Sequence, residues 1–118
     1  MKPEIYKIKE GEITIVHDEP KLSIGLLELN PNQSLDKHHR PIAEDLLQIQ
    51  GESIIKIFNG DKLESKRILK KGEHIKIPAN MNHIHSNETG NSSLTLWKFN
   101  GDISEILKAI RNTSERTY

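Results

Sequence analysis

The dipeptide Asn59-Gly60 sits inside "SIIKIFNGDKLESKRIL", between two stretches in which apolar and polar residues alternate. Alternation puts successive side chains on opposite faces of an extended strand. Asn-Gly is the strongest short-range signal for turning such a strand back on itself. The segment therefore predicts a β-hairpin, and the rest of the chain is written in the same manner. "EITIVHD" (12–18) sets Ile13 and Ile15 against Thr14 and Val16. "KLSIGLLEL" (21–29) is a longer apolar run, broken by Gly25 and closed by "NPN". "EDLLQIQ" (44–50) ends at Gly51, and "HIKIP" (74–78) and "SLTLWKF" (93–99) add two more strands. Only "DISEILKAIRN" (102–112) has a helical period, with Asp102 as N-cap, Glu105 three residues on, and Ile103, Ile106, Leu107 and Ile110 on one face. Many short strands at fairly regular spacing predict an all-β sandwich or barrel, closed by a short C-terminal helix.

A chain of 118 residues suits a single domain, 1–118, and no repeat, low-complexity tract or linker divides it. Lys plus Arg and Asp plus Glu number 17 each, so the net charge is zero. That removes the electrostatic argument for nucleic acid or a membrane surface. Without cysteine there is neither a disulfide framework nor a thiolate metal site. No stretch resembles a signal peptide or a membrane span, so the expectation is a soluble, cytoplasmic protein.

The chemistry gathers in two stretches. In "GEHIKIPANMNHIHSN" the order is Gly72, five residues, Pro78, one, Asn80, two, His83, three, Asn87. This resembles the second motif of the cupins, G-x5-P-x-G-x2-H-x3-N, with Asn80 in place of the inner glycine. The position needs a left-handed backbone, which Asn tolerates best after Gly. Upstream, Asn32, five residues, His38, one, Arg40, three, Glu44, six, Gly51 resembles the first motif, G-x5-H-x-H-x3,4-E-x6-G. Asn32 replaces the leading glycine and Arg40 the second histidine. The Asn-Gly hairpin falls in the intermotif gap, and the resemblance spans about residues 20 to 100.

The resemblance implies a cupin β-barrel (a double-stranded β-helix, or jelly roll) that binds one divalent metal ion: Fe, Mn, Ni, Co or Zn. It implies His38, Glu44 and His83 as ligands. Arg40 cannot complete the set, because guanidinium has no lone pair and stays protonated. A second register, Lys37, His39 and Glu44, keeps the second histidine and loses the first, and would turn Leu35 inward. His38 is preferred because Asn32 stands six positions before it and Pro41 follows Arg40. In either register two histidines and Glu44 converge. Members of this kind bind small polar molecules and catalyse isomerase, epimerase, lyase or dioxygenase chemistry. The rival is a non-catalytic ligand-binding cupin with a weak or empty metal site.

The neighbouring residues admit two readings each. Arg40 either points inward, holding a carboxylate or phosphate of a small-molecule ligand, or lies at the barrel mouth paired with Asp36 or Asp45. Gln48 shares Glu44's face and is a candidate pocket residue. His85, two residues beyond His83, lines the pocket or is a core histidine bonded to a backbone carbonyl. Glu44 and His85 are the candidates for moving a proton. His17 and His74 read as structural, and Asn80 and Asn87 as turn-formers. Leu47 and Ile49 alternate away from the pocket side, with Ile54 and Phe58 similar on the next strand, which predicts a homodimer through the outer sheet faces.

Overall fold

The chain opens as a meander. Strand β1 (Glu4–Ile8) runs antiparallel to β2 (Gly11–Glu19), which pairs with β3 (Leu22–Leu29). The computed structural model describes residues 2–118. After β3 the chain passes between two sheets, through β4 (Gln33–Ser34), β5 (Glu44–Gln50), β6 (Ser53–Asn59), β7 (Lys62–Leu69), β8 (His74–Ile77), β9 (His83–Asn87) and β10 (Ser93–Phe99). Helix α1 (Ser104–Thr113) and the two-residue β11 (Glu115–Arg116) follow. One sheet has the order β11-β1-β2-β3-β10-β5-β8 and the other β4-β9-β6-β7. All pairings are antiparallel, and both sheets contribute to one core that includes Ile15, Leu29, Ile55, Leu69 and Ile77. The all-β barrel with a C-terminal helix is therefore the observed architecture.

Local chemistry explains most of the element boundaries. Strand β5 covers 44–50 and β10 covers 93–99, as their alternation predicts. The hairpin of β6 and β7 is present, but its tip lies one residue later than the dipeptide suggests. Asn59 still pairs with Lys62, and Gly60 takes a φ of +62° at the tip. The four positions where the motifs want glycine all carry positive φ: Asn32 (58°), Gly51 (71°), Gly72 (86°) and Asn80 (63°). Asn thus holds the backbone conformation that glycine would otherwise supply.

One expectation is corrected here and another extended. Gly25 does not break the third run: β3 is continuous through it. A Cβ at Gly25 would stand 2.1 Å from the Trp97 ring and 2.2 Å from the Thr14 carbonyl oxygen. The glycine is there to seat the indole across the strand pair. Asn87 is not only a turn-former, through the Asx bond from the Thr89 N–H, but also a fully buried tie. Its amide group reaches the carbonyls of Leu29, Asn30 and Asn91, and its Oδ1 accepts from the Thr89 backbone N–H and hydroxyl.

Helix α1 begins at Ser104 with Ile103, not Asp102, at the N-cap; Asp102, one residue earlier, accepts the Ser104 N–H at 2.8 Å, and no capping box forms. Ile103 and Leu107 are buried, and Ile106 and Ile110 pack beside them. The helix is fastened at its far end by Arg111. Its guanidinium donates to both oxygens of Glu4 at 3.1 Å and meets Asp18 at 3.1 Å. Glu4 also accepts from the Tyr6 hydroxyl at 2.6 Å. These bonds, the Arg111 bond first, hold the Glu4 carboxyl below its ordinary value of 4.5. A depressed carboxylate pKa stabilises the fold above the unfolded-state value, and this contribution is lost as pH falls through the folded-state value. Arg111→Gln is therefore expected to lower stability by about 1–3 kcal/mol at neutral pH. The difference from the parent should shrink below pH 4.5. Urea unfolding across pH checks this, and a deficit independent of pH would show that Arg111 acts by packing alone.

Candidate functional site

Between Gln33–Ser34 and Glu44 the chain is extended but joins no ladder except at one point. There His38 and His83 form an isolated antiparallel bridge. The His38 N–H donates to the His83 carbonyl at 3.0 Å, and the His83 N–H to the His38 carbonyl at 2.8 Å. Residues facing each other across such a bridge send their side chains to the same side. The two imidazoles accordingly meet edge to face, with centroids 4.2 Å apart. Glu44, the first residue of β5, comes in from the other sheet and places Oε1 3.6 Å from His83 Nε2.

These groups share one cavity of about 70 Å³. Its polar side is His38, Arg40, Glu44, His83 and His85. Its apolar side is Ile13, Leu27, Leu35, Leu46, Trp97 and Phe99 from the barrel, with Ile103, Ile106, Leu107 and Ile110 from α1. The helix is thus a wall of the cavity. Its apolar stripe is legible in the sequence, but its place beside the site is not.

Both bridge histidines are fixed as one tautomer by the same local contact. His38 Nδ1–H donates to the Asp36 carbonyl at 2.7 Å, and His83 Nδ1–H to the Met81 carbonyl at 3.0 Å. Each donation goes to the residue two positions earlier and leaves the Nε2 lone pair free. Backbone carbonyls orient metal-binding histidines in the same way. Burial, and then the Arg40 charge, push the His38 pKa down to about 4, so its lone pair is available at neutral pH.

The other expected residues divide. Arg40 lines the cavity and pairs with neither Asp36 nor Asp45. Among the described residues no carboxylate stands within ion-pair distance of it, and its one bond is a long contact to the His39 carbonyl at 3.5 Å. Burial lowers its pKa, and Glu44 partly opposes this. His39, the alternative to His38, is exposed, lies off the cavity, and contacts the Asn82 side chain at 3.3 Å. Lys37 points elsewhere and covers the Phe58 ring at 3.9 Å. Leu35 lines the cavity in company with His38, because residues 35–43 do not keep a strict strand alternation. His17 meets Glu19 at the surface, and His74 is exposed.

Gln48 is buried but is not part of the cavity lining. It closes a ring of four side chains with Ser93 (2.9 Å), Ser53 and Thr95 (2.8 Å). Ser93 and Ser53 stand 2.6 Å apart, and Ser53 and Thr95 3.2 Å. The Gln48 amide is oriented by the Gln50 carbonyl, which needs its N–H. The arrangement that serves every contact has Gln48 donate to Ser93, Ser93 to Ser53, Ser53 to Thr95, and Thr95 to the Gln48 oxygen. His85 Nε2 stands 3.1 Å from Ser53 and 3.3 Å from Thr95, and in that arrangement its own proton serves both contacts. The assignment for His85 is the Nε2–H tautomer. It bonds to hydroxyls, not to a backbone carbonyl. Its Nδ1 has no partner in the protein and is not among the sealed polar atoms, where Ser23 Oγ stands alone among the described residues. As His85 lines the cavity, that lone pair opens onto it. Burial, and then the neighbouring histidines, push its pKa down to about 3.

The donor set suits a metal ion in its chemistry. Two donors bound about 2.1 Å from a tetrahedral ion stand about 3.4 Å apart. The 3.6 Å between His83 Nε2 and Glu44 Oε1 is close to that. Among the described residues, however, no three such side chains are gathered tightly enough to hold an ion as they stand. Among them too, no helix is long and apolar enough to cross a membrane.

No family model matches this sequence, and no curated protein matches it. Solved structures do. The capsular polysaccharide assembling protein CapF from Staphylococcus aureus aligns over 98% of this chain and 34% of its own, with a TM-score of 0.75 at 16% identity. An RmlC-like cupin from Shewanella frigidimarina aligns over 89% of both chains, with a TM-score of 0.75 at 12% identity. Oxalate oxidase in complex with glycolate aligns over 69% of this chain, with a TM-score of 0.63 at 23% identity. This chain spans 42% of the oxidase's length. The fold is the cupin barrel.

This hydrogen-bond arrangement has a direct consequence. Long-range ¹H–¹⁵N correlation spectra at neutral pH should show His85 protonated at Nε2, and His38 and His83 at Nδ1. Ser53→Ala opens the ring and should cost about 1–3 kcal/mol, because it leaves buried donors and acceptors unpaired. A His85 protonated at Nδ1 would overturn the assignment.

Proposed function

We propose that this cupin-fold chain is a small metal-binding protein that holds a compact anionic molecule beside the metal. His83, Glu44 and His38 are the ligands, and Arg40 is the anion anchor. The observation that carries the reading is the guanidinium of Arg40, unpaired among the described residues, on the same cavity as two imidazoles whose lone pairs are set by backbone carbonyls. The ion would be divalent, and when bound it would supply Lewis-acid or oxygen-binding chemistry. The chain's own residues do the rest. Arg40 offers a planar fork matched to a carboxylate. His85 presents an acceptor at Nδ1, and its deep burial suits it to accepting a hydrogen bond more than to moving a proton. Glu44 remains the candidate for proton transfer where it does not ligate.

One observation favours the second reading, a non-catalytic ligand-binding cupin: three donors are not gathered at ligating distance. The two readings separate on metal affinity. Calorimetry on untagged protein should show that His83→Ala abolishes metal binding. His38→Ala should weaken it by at least about tenfold, and His39→Ala should leave it unchanged. Arg40→Gln should weaken a carboxylate ligand and spare a neutral one. Metal retained at full stoichiometry in the His83 variant would sink the metal centre and leave the binding module.

The same reading includes a homodimer formed through the outer faces of the sheets. Leu47 and Ile68 are exposed, at 36% and 49%, and α1 covers the cavity, not these faces. Exposed apolar area costs roughly 25 cal/mol per Å², which association would recover. Light scattering at low micromolar concentration tests this, and a clean monomer removes the dimer.

A further inference from the structure

We propose that the cavity takes a short aliphatic monocarboxylate, its carboxylate on Arg40 and its hydrocarbon body against the wall formed by the C-terminal helix. This rests on the reading of Arg40 as an anion anchor and adds the nature of the molecule's other end.

The cavity is two-sided. Its charged and polar groups come from residues 38–44 and from β9. The side made by β2, β3, β10 and α1 is hydrocarbon or aromatic throughout. Ile103, Ile106 and Ile110 of α1 stand there with Leu27, Trp97 and Phe99. A hydroxylated body, as in a sugar acid, would bring several hydroxyls against this wall. Each hydroxyl left without a partner there would lose its hydrogen bonds to water with nothing in return. A hydrocarbon body of matching shape gains from the same surface.

Size narrows the class. The volume is about 70 Å³. An engineered cavity of about 150 Å³ binds benzene, so this one has room for roughly three carbon atoms, which limits the body to that length with the carboxylate at the Arg40 edge. The wall is preorganised, because Arg111 ties α1 to Glu4 and Asp18 with contacts of 3.1 Å. A fixed wall discriminates by length, and a loose one would not.

The test is calorimetry on the full chain with n-butyrate, isobutyrate, glycerate and isobutyramide, with added Zn²⁺ and after chelation. Glycerate keeps the charge and changes the body, and isobutyramide keeps the body and removes the charge. Butyrate and isobutyrate are expected to bind at least about tenfold tighter than either control, one hydroxyl's desolvation being enough for that ratio. Ile106→Phe should shift preference toward acetate and propionate, and Ile110→Ala toward valerate, with far-ultraviolet dichroism confirming that each variant is folded. Glycerate equal to isobutyrate, with Arg40→Gln still weakening both, overturns this inference and leaves the anion site standing. Isobutyramide equal to isobutyrate overturns the anion site, and this inference with it. Absence of binding by every acid at millimolar concentration also overturns both.

Discussion

Two backbone hydrogen bonds between His38 and His83 hold this site together. Between Leu35 and Ala43 the only other backbone bonds to the far side are the Leu35 N–H to the His85 carbonyl at 3.0 Å and one at Arg40, so few anchors fix where His38 and Arg40 stand relative to β9. Because the bridge pairs the two histidines directly, their side chains fall on one side, and Arg40, two residues on, turns to the same cavity. The Asn80 N–H donates to the Arg40 carbonyl at 2.7 Å and secures the far end of the segment. That bond is made from a residue with φ of +63°. The left-handed turn at Asn80 and the placement of the guanidinium are thus one arrangement. A site built on an extended loop is as rigid as its few anchoring bonds, and here the anchors are backbone groups that a side-chain substitution does not remove.

Beside the apolar core one part of the interior is polar, and buried polar groups are costly unless matched. Gln48, Ser53, Ser93, Thr95 and His85 are matched through a ring of hydrogen bonds. The ring does more than satisfy itself. With every contact served, it has His85 donate from Nε2 and turns an acceptor toward the cavity. Ser53 and Thr95, the two hydroxyls that His85 touches, thus act on the cavity without lining it.

The strands were legible wherever alternation and a turn residue coincide. β5 and β10 match their sequence bounds, and the four left-handed positions follow from motif spacing. β1 and β11 were not, because "EIYKI" and a two-residue strand carry too little pattern to stand out from loop. Spacing brought His38, Glu44 and His83 together and left Arg40 and His85 between two readings; all five line one cavity. It misplaced Gln48, which shares Glu44's face but turns its amide to Gln50 and Ser93. Periodicity gives the face of a strand and not the depth along the barrel. The role of α1 as a wall was likewise out of reach, since an apolar stripe records that a helix is buried and not against what.

The charge balance of the cavity decides what it can hold. Arg40 and Glu44 are its two fixed charges and cancel in sum, yet they do not pair. Glu44 instead turns to His83, and Arg40 is left with one long contact to a neutral carbonyl. Two opposite charges near each other in a low-dielectric space attract strongly, so keeping them apart needs other partners for both. A dication at Glu44 and the imidazoles provides one such partner. It also raises the cavity from zero to two positive charges, with a guanidinium beside it, an arrangement that is costly unless a negative group lies between. A carboxylate meets that demand from both sides, because its oxygens suit the planar fork of Arg40 while its charge offsets the ion. The replacement of a histidine by Arg40 is therefore not simply the loss of a ligand. On the proposed reading it would make occupancy by metal and occupancy by an anion mutually reinforcing, each binding more tightly in the presence of the other.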